Sequence, residues 1–198
     1  MNGVGTGRTV LIVPGWNGSE HAHWQSVWER KNPNFVRVQQ SDWRQPTRSD
    51  WVRGLGRAID AIEQPVVLVT HSLGCLAVAA WAAQSPGAAK RVDCALLVAP
   101  PDLERQAPAI EPLREFGSPS RQPLPFRSLL VASEDDPYMS LDSAETLAED
   151  WRCKFVNAGL VGHINCASGF GDWVEGERLL VGLLNGNAVV QGALTAPA

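Results

Sequence analysis

Residues 66–74 read Val-Val-Leu-Val-Thr-His-Ser-Leu-Gly, and this stretch decides the fold. Four apolar residues ending at Val69 have the length and β-branched content of a buried strand. Ser72-Leu73-Gly74 then turns into Cys75-Leu76-Ala77-Val78-Ala79-Ala80-Trp81-Ala82-Ala83, an Ala-rich run suited to a helix. A strand that breaks at a serine and leaves as a helix has the form of a nucleophile elbow. That turn lifts the hydroxyl above the sheet and aims the first helical N–H groups at whatever the serine attacks. The usual pattern is Gly-x-Ser-x-Gly, and here Thr70 stands at the first glycine. A serine that merely caps an ordinary helix is the competing reading of this stretch alone.

Outward from the serine, the chain alternates strand-like and helix-like segments. Thr9–Val13 is an apolar run ended by Pro14-Gly15. Glu20 to Lys31 reads as a helix, with Trp24, Val27 and Trp28 on one stripe. Phe35–Gln39 reads as a short strand. Ser49-Asp50 offers a cap for a helix through Ile62, with Trp51, Leu55, Ile59 and Ile62 on one face. Beyond the elbow come strands at Val92–Ala99, Ser128–Ala132 and Cys153–Asn157, and helices at Ser140–Glu149 and Asp172–Leu184. Strands separated by helices predict right-handed crossovers and an α/β three-layer sandwich, with a mostly parallel sheet of about six strands. Ligands in such sheets sit at the carboxyl ends of the strands.

Length and composition fit one such domain over residues 1–198. The chain is 44% hydrophobic and 19% charged, ordinary for a globular domain with a sizeable core. A net charge of −4 with no Lys/Arg-rich run argues against a nucleic-acid surface or attraction to anionic lipid. No apolar run approaches the roughly 20 residues of a membrane span, and Thr9–Val13 is too short for a signal segment. Cys75, Cys94, Cys153 and Cys166 are scattered without Cys-x-x-Cys pairing, which predicts reduced thiols and a cytoplasmic setting. Residues 1–8 and 185–198 read as loose termini. Residues 100–125 hold seven of the 14 prolines and read as an excursion between strands, either a cap over the site or a plain surface loop.

A serine hydroxyl needs a base to become nucleophilic, and the base needs an orienting acid. In the elbow architecture the chain order is Ser, then Asp or Glu, then His. His163 is the single histidine downstream of Ser72, in a Gly-flanked loop after the last strand. The acid should follow the preceding strand, which runs into Ser133-Glu134-Asp135-Asp136-Pro137. Asp136 is the expected acid and Asp135 the runner-up, which would then cap a helix or face solvent. The oxyanion donors expected are the backbone N–H groups of Leu73, after the serine, and Trp16, in the turn Pro14-Gly15-Trp16-Asn17-Gly18. Asn17, His71 and Trp43 are candidates for the substrate pocket.

His21 and His23 at i, i+2 point to different faces and lack partners in ligand spacing, so no metal is expected, and no cofactor. His71, beside the serine, is expected to pack or form a local hydrogen bond, and Cys75 to sit in the helix core. Most of the eight tryptophans should be core, with Trp16 and Trp43 available to line an apolar acyl pocket.

Pro14-Gly15-Trp16-Asn17-Gly18-Ser19, His23-Trp24-Gln25 with Trp28-Glu29, Asp42-Trp43 with Pro46, His71-Ser72-Leu73-Gly74-Cys75, Ser133 to Pro137 and Gly162-His163-Ile164-Asn165 together resemble the small serine hydrolases. That family includes the YdeN-like bacterial proteins and retinoblastoma-binding protein nine. The resemblance spans residues 9 to about 184. It implies a reduced α/β-hydrolase fold and a triad on Ser72, Asp136 and His163. Two departures stand out: Thr70 replaces the first motif glycine, and the Leu-x-Cys-x-Glu motif that binds the retinoblastoma partner is absent, so no protein partner carries over.

The expected activity is cleavage of a small ester or related acyl compound through an acyl-enzyme on Ser72. A non-catalytic interaction module on the same fold, or an acyltransferase or lyase using the same site, are the alternatives.

Overall fold

The computed structural model describes residues 7–106 and 111–187. Six strands form one sheet: β1 (Val10–Val13), β2 (Phe35–Arg37), β3 (Val66–His71), β4 (Val92–Val98), β5 (Arg127–Ala132) and β6 (Lys154–Asn157). Their spatial order is β2-β1-β3-β4-β5-β6, and every pairing is parallel. The helices are α1 (Trp24–Lys31), α2 (Arg48–Asp60), α3 (Leu73–Gln84), α4 (Ala88–Arg91), α5 (Leu103–Gln106), α6 (Leu141–Trp151) and α7 (Val174–Leu184). Short 3-10 turns occupy Glu111–Phe116 and Cys166–Ser168.

The strands read as unbroken apolar runs because both faces of the sheet are covered. Successive residues of a strand point to opposite sides, and the core divides accordingly. Leu11, Val13, Leu68, Ala95, Leu97 and Leu130 join Trp51, Leu55 and Ile59 of α2, most of α3, and Leu147 and Trp151 of α6 in one cluster. Val10, Ile12, Val67, Val69, Leu96 and Val131 join Trp24 and Trp28 of α1 and Leu180 and Leu183 of α7 in the other. The chain is therefore the three-layer α/β sandwich that the alternation predicts.

Two helix starts differ from expectation, and in each case a cap two or three residues from the expected position explains it. The helix expected from Glu20 begins at Trp24, because His23 stays extended and its Nδ1 accepts the Gln25 N–H at 3.2 Å. The helix expected to be capped by Ser49-Asp50 is capped by Thr47, whose Oγ1 accepts the Asp50 N–H at 3.2 Å and donates to Asp50 Oδ2 at 2.7 Å. Helix α3 carries apolar residues all round and is buried nearly throughout, as a helix without a polar face must be.

Of the termini expected to be loose, residues 1–6 and 188–198 lie outside the described residues. Among those described, Arg8 pairs with Asp93 at 2.8 Å, and Asn187 O accepts from Lys154 Nζ at 3.0 Å. Among the described residues no helix is long and apolar enough to cross a membrane. Strand order reverses direction between β1 and β3, and a cleft opens at their carboxyl ends where neighbouring crossovers diverge.

Candidate active site

Strand β3 ends at His71, and α3 begins at Leu73, so the entire reversal falls on Ser72. Its φ of 52° and ψ of −125° lie where an L-residue is strained, at a cost of about 1–3 kcal/mol. The Ser72 N–H donates to Val98 O at 2.9 Å, which pins the turn to the neighbouring strand. Two glycines let the end of β1 press against it. A Cβ on Gly74 would lie 2.4 Å from Val13 O, and one on Gly15 would lie 2.7 Å from Ser72 Cβ.

Thr70, at the motif's usual first glycine, is fully buried. Its Oγ1 is 3.3 Å from Leu96 O and 2.9 Å from Cys75 Sγ. A small thiol side chain on α3 leaves room for the extra atoms, and the Leu96 carbonyl accepts the hydroxyl's hydrogen.

The close approach brings the Trp16 turn beside the first turn of α3. Leu73 N–H stands at the open start of that helix, where no preceding carbonyl can reach it. In the Trp16 turn, Asn17 N–H donates to Trp43 O and Gly18 N–H to Gly15 O, both at 3.0 Å. Trp16 N–H and Leu73 N–H are spent on no partner among the described residues. Buried Gln25 braces this turn: its Nε2 reaches Val13 O at 3.3 Å and Val69 O at 3.1 Å, and its Oε1 accepts from Ser19 Oγ at 2.7 Å.

His163 Nε2 lies 3.0 Å from Ser72 Oγ, and its Nδ1 lies 3.0 and 2.8 Å from the two oxygens of Asp136. A carboxylate only accepts, so Nδ1 carries the hydrogen and Nε2 is left to accept from the serine. Both side chains are withdrawn from water, at 8% and 2% exposure. Tyr138 N–H donates to Asp136 Oδ1 at 2.9 Å, and the tyrosine ring meets the imidazole edge-on at 4.6 Å between centroids.

The three carboxylates after β5 have three different tasks. Glu134 accepts from Asn157 Nδ2 at 2.8 Å. Asp136 meets His163. Asp135 is exposed but caps no helix: its Oδ1 accepts the Gly162 N–H at 2.7 Å and lies 2.7 Å from Ser133 Oγ. Those bonds hold its carboxyl below the usual carboxylate range. Ser133 Oγ accepts in turn from Val161 N–H at 3.0 Å, so residues 133–135 tether the loop that carries His163.

His71, expected to pack or bond locally, is buried and bonds far along the chain. Its Nε2 donates to the backbone carbonyl of His163 at 2.9 Å. Burial, reinforced by His163 and His23 nearby, drives its pKa well below the ordinary histidine value. The neutral ring is therefore a fixed donor. Trp24 Nε1 does the same for Ile164 O at 2.9 Å. His23 is also buried, and burial pushes its pKa down to about 4. Neither His71 nor His23 has a local sequence pattern announcing these contacts.

A cavity of about 440 Å³ opens over Ser72. Asn17 and His71 line it, as does Trp16. Trp43 does not. Its ring packs edge-on against Trp51 at 5.6 Å, and its part in the site is the carbonyl that holds Asn17 N–H. Pro101 and Leu113, from the proline-rich excursion, complete one side of the wall. All four cysteines are free thiols, and burial raises Cys75, beside the elbow, to about 12.

The serine hydrolase family model matches residues 10–182. A protein described as a YdeN-like hydrolase from Pectobacterium atrosepticum is 33% identical, with a TM-score of 0.81 over 92% of this chain and 93% of that one. The ydeN gene product of B. subtilis is 22% identical, with a TM-score of 0.73 over 90% of this chain and 99% of that one. Est1E from Butyrivibrio proteoclasticus, at 11% identity and a TM-score of 0.64 over 90% and 88% of the two chains, shares the fold. No curated protein matches the chain. With the family model spanning all six strands and an intimate structural match at one-third identity, the chain belongs to the serine hydrolase family.

Proposed function

We propose that this hydrolase cleaves a small ester, or a related acyl compound, through an acyl-enzyme on Ser72. The observation that carries the reading is the unbroken relay from Ser72 Oγ to His163 Nε2 at 3.0 Å and from His163 Nδ1 to Asp136 at 2.8 Å. Ser72 Oγ attacks the carbonyl carbon while its proton passes to His163 Nε2. Asp136 holds the imidazole in the tautomer that accepts that proton and stabilises the imidazolium formed. The carbonyl oxygen, now negative, is received by Trp16 N–H and Leu73 N–H; donors so placed are each worth on the order of 10²–10³ in rate. Collapse breaks the bond to the alcohol, which leaves with the proton from Nε2. Water, deprotonated by the same nitrogen, then attacks the acyl-serine and releases the acid.

The cavity's volume of about 440 Å³ favours a small substrate. Of the expected cap at 100–125, residues 107–110 lie outside the described residues; the described flanks, 100–106 and 111–125, serve in this reading as a cap: Asp102 N–H on Tyr138 O at 2.9 Å anchors one flank beside the site, Leu124 N–H on Trp151 O at 3.0 Å anchors the other, and Leu113 reaches the cavity. The test is labelling by a fluorophosphonate together with turnover of p-nitrophenyl esters from acetyl to octanoyl. Wild type should react with both and Ser72→Ala with neither. Equal labelling of the two proteins would overturn the assignment. Release of free acid rather than a new ester in the presence of an added alcohol separates hydrolysis from transfer.

A further inference from the structure

His23 is 2% exposed, yet it forms part of the cavity wall over Ser72. Its two ring nitrogens are in different situations. Nδ1 accepts the Gln25 N–H at the start of α1 and therefore bears no hydrogen. In the neutral ring that leaves Nε2 as the protonated nitrogen, a committed donor. That Nε2 is buried and has no hydrogen-bond partner among the described residues. A buried donor without an acceptor is unfavourable, which sets this nitrogen apart from those of His71 and His163, both of which are bonded.

Its location gives the donor a use. The His23 ring meets the His71 ring at 4.8 Å, and His71 meets His163 at 4.9 Å, so three imidazoles run in series away from Ser72. In the reaction proposed above, the group next to His163 is the departing alcohol, because Nε2 must hand it a proton. The cavity wall also holds Glu20 and Asn165, whereas Leu113 and Pro101 of the excursion supply apolar surface. Hydrogen bonding from Cys166 holds the Glu20 carboxyl below its ordinary value, so the rim carries a negative charge. An anionic alcohol portion is disfavoured there, and a neutral one carrying an oxygen acceptor is favoured.

We propose that His23 Nε2–H is a specificity-determining donor to an oxygen in the alcohol portion of the substrate, so that the enzyme prefers esters of neutral ether- or hydroxyl-bearing alcohols to their alkyl counterparts. The proposal rests on the acyl-enzyme reading of Ser72.

Matched ester pairs test it: 2-methoxyethyl acetate against butyl acetate, and 2-(2-methoxyethoxy)ethyl acetate against heptyl acetate. The members of each pair have equal chain length, and acid release in a pH-stat reads kcat/KM. Two variants separate donation from helix capping. His23→Asn keeps an oxygen at the cap but cannot reach where Nε2 lies; His23→Gln weakens the cap but retains a terminal N–H. The ether-to-alkyl ratio of kcat/KM should fall about fivefold or more from wild type to His23→Asn in at least one pair, and recover in part in His23→Gln. Comparing ratios cancels the intrinsic reactivity of the alcohols and any general loss of folded enzyme. An unchanged ratio in both pairs overturns the inference.

A binding arm does not depend on turnover. In 15N-histidine-labelled Ser72→Ala, the ether esters should shift the His23 Nε2–H resonance downfield and slow its exchange, and the alkyl esters should not. Identical responses to both overturn the inference even if esters are cleaved. Absence of turnover with a selective shift would instead count against the acyl-enzyme reading alone.

Discussion

Gly15 and Ser72 are packed so closely that one added methyl on Gly15 would lie 2.7 Å from Ser72 Cβ and 3.2 Å from its Oγ. The contact joins the two halves of the proposed oxyanion hole, since Trp16 follows Gly15 and Leu73 follows Ser72. Neither side can give easily: one is backbone, the other a Cβ in a strained turn. Gly15→Ala should therefore push the Trp16 turn away and lower kcat by about 10²-fold or more. KM for small esters should change much less, because the two donors act mainly on the charged oxygen of the transition state rather than on the bound ester. Steady-state kinetics checks this, and an unaltered kcat in a folded variant would deny the turn its role.

Asp135 and Asp136 are adjacent carboxylates with separable effects. Asp136→Asn keeps the shape but loses the acceptor that sets the His163 tautomer, and should lower kcat by roughly 10⁴-fold with little change in melting temperature. Asp135→Ala leaves that contact intact and releases Gly162 N–H and Ser133 Oγ. It should cost about 1–2 kcal/mol of stability and a far smaller share of the rate. Reversal of the two phenotypes in kinetics and thermal melts would give the acid's role to Asp135.

How far the sequence could foresee this site follows from how each contact is encoded. Apolar runs of four to seven residues between helical patterns announce a parallel sheet. Ser72, the acidic turn and His163 are legible because each lies in the turn or loop that leaves the carboxyl end of a strand. His71 and Trp24 are not, because a ring donating to a carbonyl 92 or 140 residues away leaves no local signature. His23 looks like the fourth residue of a helix until its ring is seen capping it. Trp43 is misread as a pocket residue because only its carbonyl serves the site. The choice between Asp135 and Asp136 depends on one residue of turn geometry that composition does not specify.

The two buried neutral histidines make stability depend on pH. His23 titrates near 4 in the native state and near 6.5 when unfolded. Between those values the unfolded chain holds more protons, so stability falls as pH falls. The loss is absent above about 6.5 and complete below about 4, with an upper bound of about 3 kcal/mol from His23. His71, pushed down in the same direction, adds to it. Carboxylates held low, such as Asp135 and Glu20, lose their contribution only at more acidic pH. Urea unfolding at pH 7.5, 6.0 and 5.0 should show a steady decline in wild type and a shallower one in His71→Gln. Equal slopes would mean that His71 does not titrate as a buried neutral ring.

Ser72 itself sits in a strained turn. At φ 52° and ψ −125° glycine is at ease and any side chain is crowded, while the N–H bond to Val98 is indifferent to the side chain. Ser72→Ala removes the hydroxyl but keeps the crowded Cβ; Ser72→Gly removes both. Both should be inactive. Ser72→Gly should nevertheless melt higher than Ser72→Ala, because relief of about 1–3 kcal/mol of strain exceeds the roughly 0.5–1 kcal/mol entropic cost of glycine. For a chain of this length a net gain of about 1 kcal/mol corresponds to roughly 2–4 °C in melting temperature. Scanning calorimetry on the pair makes the comparison, and a lower melting temperature for Ser72→Gly would show that the turn holds its serine without strain.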